Sequence, residues 1–119
     1  MRIINVLGTD YTIEIHKTSE DEILKKNRLS GYCSEYGKLI VIADMSEEDY
    51  YPDMTEQEQK ECYKETLRHE ITHAFFNESG LSNSANEIES SSAKNEEMID
   101  WIAIQSPKMF KIFKELDII

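Results

Sequence analysis

The segment His69-Glu70-Ile71-Thr72-His73 carries the strongest chemical signal in this sequence. On an α-helix, residues four apart lie one above the other, so His69 and His73 can direct their imidazole rings at one point. A Zn²⁺ ion at that point would bind both rings at about 2.0–2.1 Å. Glu70 projects about 100° further round the helix, where its carboxylate can act as a general base on water. The segment therefore predicts a metal site, against the simpler interpretation of a polar helix with two histidines.

The helix that carries this motif has clear boundary signals. Thr55, followed three residues later by Glu58, forms a capping box, and Gly80 is a stop signal, so the helix is predicted from residue 55 to about residue 77. At 100° per residue, the apolar positions occupy a sector beside that of the histidines. One face is therefore predicted to pack on a sheet while the neighbouring face presents the metal ligands. The apolar sector consists of Tyr63, Leu67, Ile71 and Ala74.

A small sheet is predicted upstream of this helix. Residues 3–7 and 11–16 flank the turn-forming Gly8-Thr9-Asp10, which is typical of a hairpin. Residues 29–34 predict a short strand, and a tight turn leads to the apolar strand Leu39–Ala43, whose continuous apolar run indicates burial. Residues 17–28 predict a loop or a single helical turn. His16, on the polar side of its strand, is interpreted as a surface histidine.

A second candidate segment, Asn95-Glu96-Glu97-Met98-Ile99-Asp100, opens an apolar helix. Hydrolytic zinc sites usually have three protein ligands and leave the fourth position to water, and two histidines plus a glutamate form one such set. Glu96 and Asp100 share a helix face, so Glu96 can bind the metal while Asp100 accepts the free ring N–H of a ligand histidine. Glu97 stays open as the alternative ligand, although only Glu96 has Asp100 in register. Both glutamates would also favour a helix N-terminus without any metal.

The C-terminal part of the sequence predicts two helices. The first is apolar on most of its sides, which indicates deep burial. Pro107 is predicted to interrupt it and to begin a last helix that ends near Leu116, because proline lacks the backbone N–H. The polar, serine-rich residues 79–93 predict a surface loop. The side chains predicted to pack inward in the last helix are Phe110, Ile112, Phe113 and Leu116.

Together, residues 69–73 and 95–100 resemble the HExxH…NExxxD pattern of gluzincins, the thermolysin-like branch of zinc metallopeptidases, in a minimal single-domain form. The resemblance implies His69, His73 and Glu96 as zinc ligands, Glu70 as general base and Asp100 as the partner of a ligand histidine.

The same resemblance implies an α+β, zincin-like fold. In it, a small sheet of three or four strands would pack on the HExxH helix, and the two C-terminal helices would follow. A peptide substrate would lie along an edge strand, here Leu39–Ala43. Gluzincins supply a tyrosine or histidine downstream of the glutamate to stabilise the oxyanion, and this sequence has neither there. Tyr32, Tyr36, Tyr50 or Tyr51 would have to fold over the site for that role, or a partner would have to provide the group.

Composition limits the classes of partner. The 119 residues suit one domain, 1–119, and the net charge of −11 with a pI near 4.6 argues against nucleic-acid binding and against anionic membranes. Two cysteines, Cys33 and Cys62, without a CxxC pair, predict reduced thiols in a cytoplasmic protein. No segment has the apolar length of a signal peptide or a membrane span.

These features predict a zinc-dependent metallopeptidase that acts on a peptide or protein substrate. An alternative is a non-catalytic interaction protein that retains a zincin fold, with or without metal, because the oxyanion donor is missing and the substrate surface is small. A third interpretation, a structural acidic helical module, predicts that the purified chain contains no zinc.

Overall fold

The computed structural model describes residues 2–79 and 96–119, so most of the loop predicted at residues 79–93 lies outside the described residues. The described chain is α+β with a four-stranded sheet, which confirms the predicted class. A 3-10 turn, Thr18–Glu20, and a short helix form the segment predicted as a loop or helical turn. The elements are β1 Arg2–Val6, β2 Thr9–His16, α1 Glu22–Asn27, β3 Gly31–Ser34, β4 Leu39–Ala43, α2 Glu56–Ser79 and α3 Glu96–Glu115.

The sheet has the strand order β1-β2-β4-β3. The predicted hairpin joins β1 to antiparallel β2 through Leu7 and Gly8, whose φ values of 50° and 94° suit the tight turn of a two-residue hairpin. β4 pairs parallel with β2 and antiparallel with β3. The prediction of Leu39–Ala43 as an edge strand is therefore wrong, because its apolar run is buried between two neighbouring strands. The edge strand on that side is β3.

Both faces of β4 are covered. α2 lies over one face, where Ile40 and Ile42 join the main core, and α1 lies over the other, where Leu24 packs with Val41 and Ala43. α1 starts at this place because the carboxylate of its N-cap, Asp21, accepts hydrogen bonds from two backbone N–H groups of the first turn. The main core consists of Val6, Tyr11, Ile13, Ile40, Ile42, Met45 and Ala74.

α2 begins with the predicted capping box. The Glu58 backbone N–H donates to the Thr55 hydroxyl at 3.1 Å, and the Thr55 backbone N–H donates to the Glu58 carboxylate at 2.9 Å. The helix passes very close to β3, since a Cβ at Gly31 would lie 2.9 Å from the carbonyl oxygen of Val41 and 3.0 Å from the Cγ2 atom of Thr66. Glycine at position 31 therefore lets the edge strand approach the helix that carries the histidines.

The C-terminal region is one helix, α3, with Pro107 in its interior, so the prediction of two helices is wrong. Proline has no N–H for the carbonyl four residues earlier, which belongs to Ala103. The Arg68 Nε–H of α2 donates to that carbonyl at 2.5 Å, so the oxygen that Pro107 leaves unpaired is satisfied by the neighbouring helix. Within residues 2–79 and 96–119, no helix is both long enough and apolar enough to cross a lipid bilayer.

Only one face of α3 is buried. Ile99 and Ala103 are fully covered, whereas Trp101 is 56% exposed, so the prediction of deep burial on most sides is wrong. Among the described elements, α2 is the main packing partner of α3, and a helix covered mainly on one side cannot bury an apolar surface that surrounds it. Phe110, Ile112 and Leu116, which were predicted to pack inward, are 50%, 53% and 64% exposed.

Candidate metal centre

α2 supplies two histidines and a buried glutamate to one site. His69 and His73 lie one turn apart, with their ring centroids 4.9 Å apart and their planes at 66°. The carboxylate of Glu70 is 3.9 Å from Nε2 of His69, and this residue is only 6% exposed. Ligand atoms from these three side chains all lie within 4.8 Å of one another, so the group could hold a metal ion.

α3 brings a carboxylate to the same point. The two oxygens of Glu96 lie 3.0 Å from Nε2 of His69 and 3.2 Å from Nε2 of His73, so one carboxylate spans both rings. Glu97 is exposed and does not line the site. The structure therefore places Glu96, rather than Glu97, beside the two histidines.

Asp100 supports His69 from the other side of the ring. Its Oδ1 atom lies 2.6 Å from Nδ1 of His69, one helical turn beyond Glu96. An N–H at Nδ1 that donates to this carboxylate leaves the lone pair of Nε2 available to a metal ion. All five residues predicted for the site are thus brought together by α2 and α3.

Burial dominates the electrostatics of Glu70. Loss of water around its carboxylate raises the pKa to about 7; the nearby His69 ring lowers the pKa, and the charges of Glu96 and Asp100 raise it. A carboxyl group with this pKa can both accept and return a proton near neutral pH.

An open cleft of about 680 Å³ gives access to Glu70 and the two histidines. β3 forms one wall and α2 the other, and the N-terminal turn of α3 closes the third side. Because β3 pairs only with β4 in the described sheet, its outer backbone groups face away from the other strands. The lining residues are Leu29, Ser30, Gly31, Tyr32, Cys33, Glu35, Glu65, Thr66, His69, Glu70, His73, Asn77, Glu96 and Asp100.

The four tyrosines suggested for the oxyanion do not offer a free hydroxyl to the cleft. Tyr32 lines it, but its hydroxyl donates to Asp21 at 2.8 Å, and burial raises its pKa to about 12. Tyr36 is 89% exposed on the turn after β3. Tyr50 and Tyr51 line a separate cavity beside α1.

The remaining histidine and the cysteines lie outside the cluster of ligand atoms. His16 lies at the end of β2, as predicted, where it is half-buried and paired with acidic side chains. Cys62 packs against the main core, as expected of an ordinary helix cysteine. Cys33 lines the cleft, and burial raises the pKa of its thiol to about 12, which keeps the thiol neutral.

Sequence reasoning missed three residues around the site: Arg68, Glu35 and Glu65. The missing hydrogen bond at Pro107 indicates an unpaired Ala103 carbonyl, but the sequence does not say which side chain reaches it. Glu65 is one turn before His69 and therefore on the same helix face, a spacing that could have placed it in the cleft.

Comparison with known proteins identifies no family for this chain. The chain matches no protein-family model, and no curated protein or solved structure shows significant similarity to it. The site is therefore defined by its own geometry.

Proposed function

We propose that this protein is a zinc-dependent metallopeptidase. The observation that supports this most directly is the position of the Glu96 carboxylate, 3.0 Å and 3.2 Å from the Nε2 atoms of two histidines on another helix. A separate element thus adds an anionic oxygen donor where two imidazoles converge. Beside them lies a buried carboxyl, Glu70, whose pKa of about 7 suits proton transfer.

The donor set fits zinc. Two imidazole nitrogens and one glutamate carboxylate leave a fourth position open in many hydrolytic zinc sites. His69, His73 and Glu96 would hold the ion, with Asp100 orienting the His69 ring. When bound, zinc supplies a Lewis acid that lowers the pKa of water towards about 7 and polarises a carbonyl group.

The chain's own residues would perform the proton transfers. Glu70 accepts the proton of the attacking water and delivers it to the leaving amine. Its buried position excludes competing solvent from the carboxylate. The exposed edge of β3, rather than Leu39–Ala43, offers backbone N–H and C=O groups to an extended peptide in the cleft.

A second candidate function is a non-catalytic interaction protein with the same metal centre. It is favoured by the four tyrosines, since none of Tyr32, Tyr36, Tyr50 and Tyr51 directs a free hydroxyl at the histidines. In this case the cleft would bind a peptide without cleaving it.

Substitution of Glu70 by glutamine separates the two functions. Glutamine keeps the shape of the side chain but cannot accept the proton, so Glu70→Gln should retain stoichiometric zinc and lower hydrolysis of a peptide pool by about a hundredfold or more. Zinc is measured by elemental analysis and hydrolysis by mass spectrometry. Turnover at the wild-type rate in the variant would remove Glu70 from the mechanism, and a zinc-loaded wild type that cleaves nothing would favour the interaction protein.

A further inference from the structure

The side walls of the cleft carry one sign of charge. Among the described residues that line it, five are acidic and none is lysine or arginine. Building on the proposed function, we propose that the cleft selects peptides with lysine or arginine side chains on both sides of the metal centre. The acidic residues are Glu35, Glu65, Glu70, Glu96 and Asp100.

Three of these carboxylates already have a role beside the histidines. The other two, Glu35 and Glu65, form no side-chain hydrogen bond or ion pair with any residue in the described ranges 2–79 and 96–119. Each therefore presents an unpaired negative charge to whatever enters the cleft. Glu65 is exposed and Glu35 is half-buried, so water solvates both carboxylates and a cationic ligand in the cleft can reach them.

The two carboxylates lie at opposite ends of the cleft. β3 and α2 advance in the same direction, because Gly31 lies against Thr66 and the Cys33 Sγ atom is 3.9 Å from the amide nitrogen of Asn77. Glu65 precedes Thr66 and so marks the end near Gly31. Glu35 follows Cys33 by two residues and so marks the end near Asn77.

The metal centre lies between these ends. Residues 69, 70 and 73 fall between positions 65 and 77 of α2, a stretch of helix that is about 18 Å long at 1.5 Å per residue. An extended peptide advances about 3.3 Å per residue, so about five of its residues span this length. A lysine or arginine two or three residues from the central peptide bond can therefore reach the carboxylate at its end of the cleft.

Carboxylates that line a concave site attract cationic peptides and also disfavour anionic ones. Their field raises the local concentration of cationic peptides, and an acidic side chain at the same position meets a like charge. A bound zinc ion would offset the charge of the central carboxylates, whereas Glu35 and Glu65 lie at the ends of the cleft. The discrimination is therefore assigned to Glu35 and Glu65.

Peptide binding to zinc-loaded Glu70→Gln protein tests the proposal without turnover. Three fluorescein-labelled decapeptides differ only at two positions, the third residue on each side of the central bond, which are both lysine, both glutamine or both glutamate. Fluorescence anisotropy should show the lysine peptide binding about tenfold more tightly than the glutamine peptide at low salt, with the glutamate peptide weakest. Added salt should reduce the difference, because the carboxylates at the cleft ends are screened.

Second substitutions in the Glu70→Gln background assign the effect. Glu35→Gln and Glu65→Gln should each reduce the preference for lysine over glutamine about threefold. The matched control, Glu20→Gln, changes an exposed glutamate that does not line the cleft and should leave the preference unchanged.

Two results would overturn the proposal: equal binding of the three peptides, or a lysine preference that survives both Glu35→Gln and Glu65→Gln. Neither result bears on hydrolysis by the wild type, which is measured separately. Conversely, a lysine-selective cleft in a protein that cleaves nothing would support the charge selection while removing the peptidase function.

Discussion

Two histidine–carboxylate clusters in this chain look alike at first and differ in one respect. In the first, His16 lies between two carboxylates, with its Nδ1 atom 2.6 Å from Asp21 and its Nε2 atom 2.8 Å from Glu14. Both ring nitrogens are occupied by anionic partners, and the Asp21 carboxylate also accepts hydrogen bonds from the Tyr32 hydroxyl and the backbone of α1. This arrangement favours the protonated ring and so raises the pKa of His16.

In the second cluster, His69 also has a carboxylate at each nitrogen, Asp100 at 2.6 Å and Glu96 at 3.0 Å. The difference is His73, whose Nε2 atom lies 3.2 Å from the second oxygen of Glu96. Two imidazole nitrogens and a carboxylate oxygen then converge, which is a combination found in zinc sites. A second imidazole one helical turn away separates a candidate metal centre from an ion pair.

Removal of that second imidazole should have the largest effect. His73→Ala should lower zinc affinity by about a hundredfold or more, because a three-ligand site loses one of its nitrogen donors. Titration against a fluorescent zinc chelator measures the affinity. Glu96→Ala should also weaken binding strongly, whereas the adjacent control Glu97→Ala should not.

His16→Gln supplies the matched control from the first cluster. It should leave zinc affinity unchanged, since His16 does not line the cleft. Equal loss of zinc affinity in His16→Gln and His73→Ala would contradict the assignment of zinc binding to the cluster that contains His73.

The two helices of the candidate metal centre also differ in how far their positions can be predicted from the sequence. Within α2, the positions of His69 and His73 follow from the helix period alone, and the Thr55–Glu58 capping box sets where the helix begins. Their relation was therefore predictable from local sequence. The same spacing argument put Glu96 and Asp100 on one face, but their distance from the histidines depends on how α3 packs on α2.

That packing depends on a contact distant in sequence. Pro107 normally ends or kinks a helix, and the rule fails here because Arg68, 35 residues before Ala103, donates to the unpaired carbonyl. The sequence also could not show that, among the described elements, α2 would be the main cover of α3, so it predicts more burial for Trp101 than the structure has. Hydrophobicity sets which side chains favour burial, whereas the number of neighbouring elements sets how many achieve it.

The contact between Arg68 and Ala103 can be tested by a double-mutant cycle. Arg68→Gln leaves the Ala103 carbonyl unpaired and should loosen α3, so zinc affinity should fall about tenfold as Glu96 and Asp100 are held less firmly. Pro107→Ala restores a backbone N–H that can bond this carbonyl within the helix. In the Pro107→Ala background, Arg68→Gln should therefore change zinc affinity much less.

The cycle distinguishes positioning from general stability. Urea unfolding of the zinc-free proteins is measured in parallel, so that a loss of affinity can be compared with any loss of stability. If Arg68→Gln reduced zinc affinity equally with and without Pro107, the hydrogen bond to Ala103 would not be what positions α3.

The smallest predicted effect concerns the first cluster and depends on pH. Hydrogen bonds to Asp21 and then to Glu14 raise the pKa of His16 above its usual 6.5, although burial lowers it. A raised pKa in the folded state stabilises the protein below the pKa of the unfolded chain, and this stabilisation is lost as pH rises through the folded value. The destabilisation caused by His16→Gln should therefore be larger near pH 5.5 than near pH 9.

Asp21 sets the lower limit of the pH range in which His16 stabilises the fold. Burial raises its pKa, but hydrogen bonds from His16, the α1 backbone and Tyr32 outweigh that effect, so the net pKa is below 3.8. Between the pKa of Asp21 and the pKa of His16, both side chains are charged. Because the His16 side chain is about one-third exposed, solvent screening should limit the difference to roughly 1 kcal/mol or less. Urea unfolding of zinc-free protein at the two pH values measures it, and a pH-independent difference between wild type and variant would mean that His16 stabilises the fold by packing alone.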